Sequence, residues 1–401
     1  MSFKAYPATW PYHDAMRAAA ARWQRRGLLL PTQQAAIDLA HPIEYYRPLL
    51  FLRIGLFIAT LLSVGSVLLA FGVALQLHNE VFLGVVALVG SLVGVEISIK
   101  KMHHYRSGVD MALLYSALLA WRFLVLHSLS GWLPYGYGHQ YYSSFWLLAP
   151  GTWLQLLLLL GPLLAALVRY ADPVVAVVTF GTALSLLASA FLQGKIGQLL
   201  LPFGVMAATA GLLFGLEKLR RRADYFYYRT SLEIVRALAL ATFYLAGNYF
   251  IVREGNAMLL GGYGASPAIP LAPLFYLLTA TVPLLYLYLG LRRHDRLLLL
   301  LGVLAVAFSI FTVRYYHSIM PPEVAATVAG LLLIALALGA LRYLRTPRHG
   351  LTAAADDEAT PSFNLESLVM AQTAYVPAAP ANAGFQFGGG QSGGGGAESQ
   401  F

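Results

Sequence analysis

Cysteine and charge are what this sequence has least of. Cysteine is absent, which excludes disulfide bonds, thiolate metal ligands and cysteine nucleophiles. Only 11% of the 401 residues are charged, whereas 58% are hydrophobic. Such a composition lies outside the range of ordinary soluble domains, so the chain requires lipid as its solvent. Residues 1–26 contain no apolar segment of the signal-peptide type, and we expect the first membrane span to serve as an uncleaved insertion signal.

The sequence contains long apolar runs with few charged residues. Each run approaches the roughly 20 residues that a helix needs to cross about 30 Å of hydrocarbon. There are ten, at residues 54–75, 81–99, 109–127, 153–168, 173–192, 196–216, 234–252, 271–291, 297–313 and 324–341. The predicted fold class is therefore all-α, a polytopic transmembrane helical bundle of about ten spans.

Basic residues predict the orientation of this bundle. A cluster of lysine and arginine at residues 218–222 separates the sixth run from the seventh, and basic loops stay on the cytoplasmic side. With the amino terminus inside, most of the 27 lysine and arginine residues lie at cytoplasmic ends, and only Lys195, Arg253 and Arg314 lie at outer ends. Both termini are then cytoplasmic. We interpret the positive charge as topogenic, and we expect no nucleic-acid partner.

Composition divides the chain into three regions. Residues 1–48 are predicted to form a cytoplasmic helical hairpin, because a helix over 12–26 stops at Gly27 and Pro31 suits the start of a second helix. Residues 49–345 form the transmembrane bundle. Residues 346–401 form a cytoplasmic, low-complexity tail whose glycine tract buries too little apolar surface to order itself.

The amino-terminal hairpin carries a short sequence resemblance. Trp23, Gly27, Leu28, Gln33 and Ile37 match a W-x-x-x-G-L segment over about 20 residues. This segment resembles the cytoplasmic amino-terminal signature of a family of uncharacterised bacterial polytopic membrane proteins. The resemblance implies a bundle of spans after the hairpin and a location in the bacterial cytoplasmic membrane, and it implies no particular activity.

Two predicted outer loops, at residues 128–144 and 253–270, are long and rich in aromatic residues. Their glycine and proline content predicts irregular structure. The candidate outer-surface residues are Trp132, Tyr135, Tyr137, His139 and Tyr263. These side chains fit the interfacial aromatic belt of a membrane protein. They also fit a binding surface over the mouth of the bundle, and the sequence leaves both interpretations open.

Charged residues inside apolar runs are the best pointers to function in a membrane protein. Arg122 lies about two-thirds of the way through the third run, where it either reaches the headgroups or lines a polar cavity. Glu96 lies about one turn from the cytoplasmic end of the second run. Its predicted neighbour is Asp110 or Lys100, because Arg122 is too deep. Glu96 is interpreted as a structural carboxylate, with a proton-relay or cation-binding role as the alternative.

Uncharged polar residues and prolines complete the candidate set. Tyr244 and Asn248 are four residues apart on the seventh run, so they predict a polar stripe that faces the bundle. Pro162, Pro202 and Pro283 are expected to break or kink their spans, and discontinuous helices expose backbone groups at transporter sites.

Three functions remain open at this point. The first is a non-catalytic scaffold, assembly or sensing component of the cell envelope, with a protein partner bound through the hairpin or the tail. The second is a small-molecule transporter built from two inverted halves of five spans. The third is an integral enzyme that acts on lipid-linked substrates at the outer surface. No catalytic, cofactor or metal motif is recognisable, so we expect no cofactor.

Overall fold

The structure is a computed structural model. It describes residues 3–74, 79–130, 151–222, 224–259, 266 and 268–317, together with single positions between 321 and 346. By its internal contacts the chain divides into two units, residues 1–352 and 353–401. The second unit lies outside the described residues, so the glycine-rich tail remains a prediction.

Every helix or strand element named within the described ranges is an α-helix, which confirms the all-α class. Nine of the helices are long and apolar enough to cross a membrane, all except α1, α2 and α10. The bounds are α1 Thr9–Arg25, α2 Pro31–Ala40, α3 Leu50–Ala74, α4 Glu80–Lys100, α5 Val109–Ser130, α6 Thr152–Tyr170, α7 Pro173–Leu192, α8 Lys195–Leu219, α9 Tyr225–Gly247, α10 Tyr249–Leu259, α11 Ala272–Arg293 and α12 Arg296–Tyr316. The chain is thus a polytopic helical bundle and an integral membrane protein.

The observed spans coincide with the first nine predicted runs to within about five residues at each end, apart from one helix start, and one predicted loop is partly helical. The seventh span begins nine residues earlier than predicted, at Tyr225, because the amphipathic segment before the apolar run is also helical. Residues 253–259 were predicted to be irregular loop, and this is wrong because they continue α10. The tenth run, 324–341, falls mostly outside the described residues.

The amino-terminal hairpin has the two helices that the sequence predicts. Gly27 adopts a left-handed backbone (φ +72°), which ends α1 at no steric cost. Pro31 occupies the first turn of α2, where its missing N–H is not needed. The Gln33 side chain accepts a hydrogen bond from the Leu30 N–H at 2.9 Å, which fixes this start.

Short turns at one end of the bundle join α4 to α5, α6 to α7, α8 to α9 and α11 to α12. These four are the helix pairs that pack most extensively on each other. Two of the turns share one design. Ala171 and His294 end their helices with left-handed backbones. The following residues, Asp172 and Asp295, each accept two backbone N–H bonds and so cap the next helix. We call the end of the bundle that carries these four turns the basic end.

The segment before α1 packs into the basic end. Its Tyr6 hydroxyl donates to Asp110 at 2.6 Å, and the Ala5 N–H donates to the Arg169 carbonyl at 2.9 Å. Burial, reinforced by the Asp110 carboxylate, raises the pKa of the Tyr6 hydroxyl. Tyr6 and Trp10 belong to one buried cluster with residues of α4–α7. Ala5, Tyr6 and Trp10 are therefore part of the bundle core, while the domain boundary at residue 48 stays a prediction.

Cysteine labelling tests the predicted orientation. Gln193, in the α7–α8 turn, and Met102, in the α4–α5 connection, are both exposed and lie at opposite ends of the bundle. With no native cysteine as background, Gln193→Cys is expected to react with an impermeant thiol reagent in intact cells, and Met102→Cys only after lysis. Labelling of Met102→Cys in intact cells would contradict the predicted orientation.

Candidate functional site

The seventh predicted run, residues 234–252, is interrupted at Asn248, between α9 and α10. The residue has an extended backbone (φ −81°, ψ 128°). Its Oδ1 accepts hydrogen bonds from the backbone N–H groups of Phe250 at 3.0 Å and Ile251 at 3.3 Å. An asparagine that accepts from the second and third residues of a helix is an N-cap. Asn248 therefore supplies the first acceptor of α10, and the interruption needs no proline.

Tyr244 and Asn248 meet in a buried network, as their spacing predicts. Asn248 Nδ2 donates to the Tyr244 hydroxyl at 3.0 Å and to Thr312 Oγ1 at 3.1 Å. The Tyr244 hydroxyl donates to the Ala305 carbonyl at 2.9 Å. Both polar atoms of the Asn248 side-chain amide, Oδ1 and Nδ2, are thus hydrogen-bonded within the protein. The pair joins α9 to α12, which is the structural role that interhelical hydrogen bonds have in membranes.

The three internal prolines do not break their spans. Helices α6, α8 and α11 continue through Pro162, Pro202 and Pro283, so none of the spans is broken there, and the kinks stay a prediction. A proline in a helix has no N–H, and the carbonyl four residues before it loses its usual donor. Neighbouring groups in a bundle can satisfy such a carbonyl, which is how a membrane helix tolerates proline.

Two of the three released carbonyls have such a donor. The Leu158 carbonyl, released by Pro162, accepts from the Trp121 indole Nε1 at 3.0 Å. The Thr279 carbonyl, released by Pro283, accepts from the Ser309 hydroxyl at 2.6 Å. The Gln198 carbonyl, released by Pro202, receives no side-chain hydrogen bond from the described part of the chain.

The Gln198 position lines a cavity of about 300 Å³. Its walls come from α7, α8, the end of α9, α10 and the start of α11. Apolar residues such as Pro202, Val205 and Phe275 make most of the wall. The polar side chains on it are the amides of Gln198 and Asn256, and neither forms a hydrogen bond with any described residue. Apolar walls with a few polar groups are typical of small-molecule sites.

A polar cluster follows the interruption at the end of the bundle opposite the basic end. Arg253 lies over the Tyr316 ring, with the guanidinium carbon 4.4 Å from the ring centroid. Glu254 accepts hydrogen bonds from Ser266 Oγ at 2.6 Å and from the Tyr316 hydroxyl at 2.5 Å. These bonds, that of Ser266 first, lower the pKa of Glu254. The cluster joins α10 to α12 and to residue 266, and so fixes the direction in which α10 leaves the interruption.

Glu96 is held in an ion-pair cluster at the basic end. Its Oε1 accepts from Arg169 Nη2 at 2.7 Å and from the Tyr170 hydroxyl at 2.8 Å. Its Oε2 lies 2.9 Å from Lys100 Nζ. The predicted neighbour Lys100 is confirmed. The predicted neighbour Asp110 is wrong, because Tyr6 and the turn before α5 surround that carboxylate.

Arg122 is not brought together with Glu96 or with the Asn248 network. Its side chain is exposed on the surface of α5. It lines a groove of about 290 Å³ between α5, α6 and α7, whereas Glu96 lines a separate depression on α4. Within the described ranges Arg122 forms no hydrogen bond and no ion pair. The five candidate outer-surface residues, Trp132, Tyr135, Tyr137, His139 and Tyr263, lie outside the described residues.

The geometry defines a polytopic helical membrane protein with one interrupted span and an apolar cavity beside it. No family model, no curated protein and no solved structure matches the chain. Sequence reasoning found Tyr244, Asn248 and Pro202 but missed Gln198 and Asn256. The spacing Gln198-x-x-x-Pro202 is the one signal that could have pointed to the cavity, because it places a released carbonyl on a polar residue.

Proposed function

We propose that this chain is a small-molecule transporter whose substrate is uncharged and largely apolar and carries a hydrogen-bond donor. One observation supports the proposal above all: the carbonyl released by Pro202 lies on a residue that lines an apolar cavity beside an interrupted span.

The cavity wall selects the substrate class. No charged residue of the described part of the chain lines it, so an ion would leave water without a counter-charge from these residues, at a large desolvation cost. The Gln198 backbone carbonyl has lost the N–H donor of residue 202, because that residue is proline, so a ligand hydroxyl or N–H is a favourable partner for it. The amides of Gln198 and Asn256 offer a further donor and acceptor each. The apolar body of the ligand would then pack on Val205 and Phe275.

The interruption at Asn248 supports movement rather than binding alone. Residues Ile251, Val252, Gly255 and Asn256 of α10 line the cavity, so a change in the direction of α10 at Asn248 changes the cavity wall. Discontinuous helices at the binding site are a recurrent element of secondary transporters. The hinge is a single extended residue whose neighbours on both sides are helical.

Filling the cavity tests the binding step. A Cβ on Gly255 meets no atom within 4 Å, so the side chain of Gly255→Leu begins in open space at the cavity wall. We expect this variant to bind N-phenyl-1-naphthylamine, an uncharged fluorophore with one N–H, about tenfold more weakly than the native protein in detergent. The matched control is Gly211→Leu on the exposed surface of α8, where a Cβ also meets open space.

The control is expected to bind the fluorophore as the native protein does. Equal binding by Gly255→Leu and the native protein would contradict the site. If binding is lost in Gly255→Leu but no uncharged solute crosses proteoliposomes faster than it crosses protein-free vesicles, the chain is a binding protein and not a transporter.

One observation favours the scaffold function as a second candidate. The tip of the α1–α2 hairpin exposes Trp23, Leu28 and Leu30, and α2 exposes Leu39. An apolar cluster of this kind suits a partner helix or the headgroup region of a membrane. The proposed location is a bacterial cytoplasmic membrane with both termini inside, supported by the loop charges and the resemblance of the amino-terminal segment.

A further inference from the structure

Arg122 is a cationic residue deep within a membrane span, and its side chain has no protein partner in the described ranges. It lies 13 residues after the start of α5, which corresponds to about 20 Å of helix. About 12 Å of α5 remains beyond it, so the Cα lies within the hydrocarbon region. Leaving a guanidinium in hydrocarbon costs at least about 2.5 kcal/mol. An anionic group that reaches this depth would remove that cost.

The groove beside Arg122 is shaped for an apolar chain. Its wall is formed by side chains of α5, α6 and α7 and extends from Arg122 to Val174 and Val175 at the start of α7. Leu119 on its edge is 63% exposed, so the groove opens to the surrounding lipid. The Trp121 indole beside Arg122 is held by the Leu158 carbonyl, which fixes the rim at that point.

We propose that an anionic phospholipid of the bilayer binds in this groove. One acyl chain would lie along the apolar wall, and the phosphate would be bound by Arg122. The planar guanidinium presents paired donors that match a phosphate bidentately. This site shares no lining residue with the cavity proposed for the transported substrate. It involves α5, α6 and the first half of α7, whereas the cavity uses the end of α7 and α8–α11.

The charge of Arg122 tests the headgroup. Purified protein is heated in detergent with added phosphatidylglycerol or with phosphatidylcholine of the same acyl chains. Phosphatidylglycerol is expected to raise the apparent Tm of the native protein by several degrees more than phosphatidylcholine does, and this difference is expected to vanish in Arg122→Gln. Arg293→Gln is the matched control, because Arg293 is exposed at the basic end and far from the groove. It is expected to keep the difference.

The acyl chain is tested separately. Val178 lines the groove and is 47% exposed, so Val178→Trp fills the groove without entering the core. This variant keeps the cation and is expected to lose the effect of phosphatidylglycerol, as Arg122→Gln does. Glycerol 3-phosphate, which has the phosphate but no chain, is expected to have no effect. A phosphatidylglycerol effect that persists in both variants, or an equal effect of glycerol 3-phosphate, would overturn the proposal.

Discussion

Gly108→Ala is expected to lower the free energy of unfolding by about 2–4 kcal/mol, because strain and overlap act together at this position. Gly108 has φ +102°, a backbone conformation that residues with a side chain rarely adopt. A Cβ added there would lie 2.3 Å from the Arg53 carbonyl oxygen and 3.1 Å from the Phe57 nitrogen, and both are backbone atoms. Relief requires α3 to move away from the start of α5.

The position of α3 makes this contact important. No residue of α3 is buried, and the helix packs chiefly on α5. Moving α3 at Gly108 therefore disturbs the main contact that attaches the first span to the rest of the bundle.

Gly65→Ala provides the control in α3 itself. A Cβ at Gly65 meets no atom within 4 Å, so alanine there adds only helix propensity, about 1 kcal/mol. Unfolding of the two variants in detergent, followed by circular dichroism, is expected to give shifts of opposite sign. Equal stability of Gly108→Ala and the native protein would show that the α3–α5 approach is not as close as described.

Much of the fold was predictable because it depends on local signals. Apolar run length predicted nine observed spans, since a helix must match the hydrocarbon thickness wherever it sits in the bundle. Gly27 and Pro31 predicted the hairpin, because each acts through its own backbone. The tenth span remains a prediction from the same rule.

The candidate site was less predictable because it depends on which helices are neighbours. Pro162, Pro202 and Pro283 look alike in the sequence. They differ only because Trp121 and Ser309 lie beside two of the released carbonyls, and no spacing rule gives that arrangement. Long-range pairing explains Glu96 as well. Its partner Arg169 follows the end of the fourth predicted run and is 73 residues away in the chain.

Asn248→Ala is expected to cost about 2–4 kcal/mol of unfolding free energy, the sum of a lost N-cap and two lost interhelical or network bonds. The residue is fully buried, so water cannot replace the bonds. Phe250 and Ile251 lose the acceptor for their N–H groups, and the Tyr244 and Thr312 hydroxyls each lose a donor. The same change removes the local reason for the interruption, so the α10 wall of the cavity is expected to become disordered or to shift.

Asn79→Ala separates the cap from the network. Asn79 also caps a helix, accepting from the Phe82 N–H at 3.1 Å at the start of α4, but it is exposed and makes no side-chain bond to another helix of the described ranges. Its loss is expected to cost only about 1 kcal/mol. Binding of N-phenyl-1-naphthylamine is expected to weaken in Asn248→Ala and to stay unchanged in Asn79→Ala. Equal losses of stability in the two variants would mean that capping alone is at work and that the buried network contributes little, which would remove the structural basis for a hinge at Asn248.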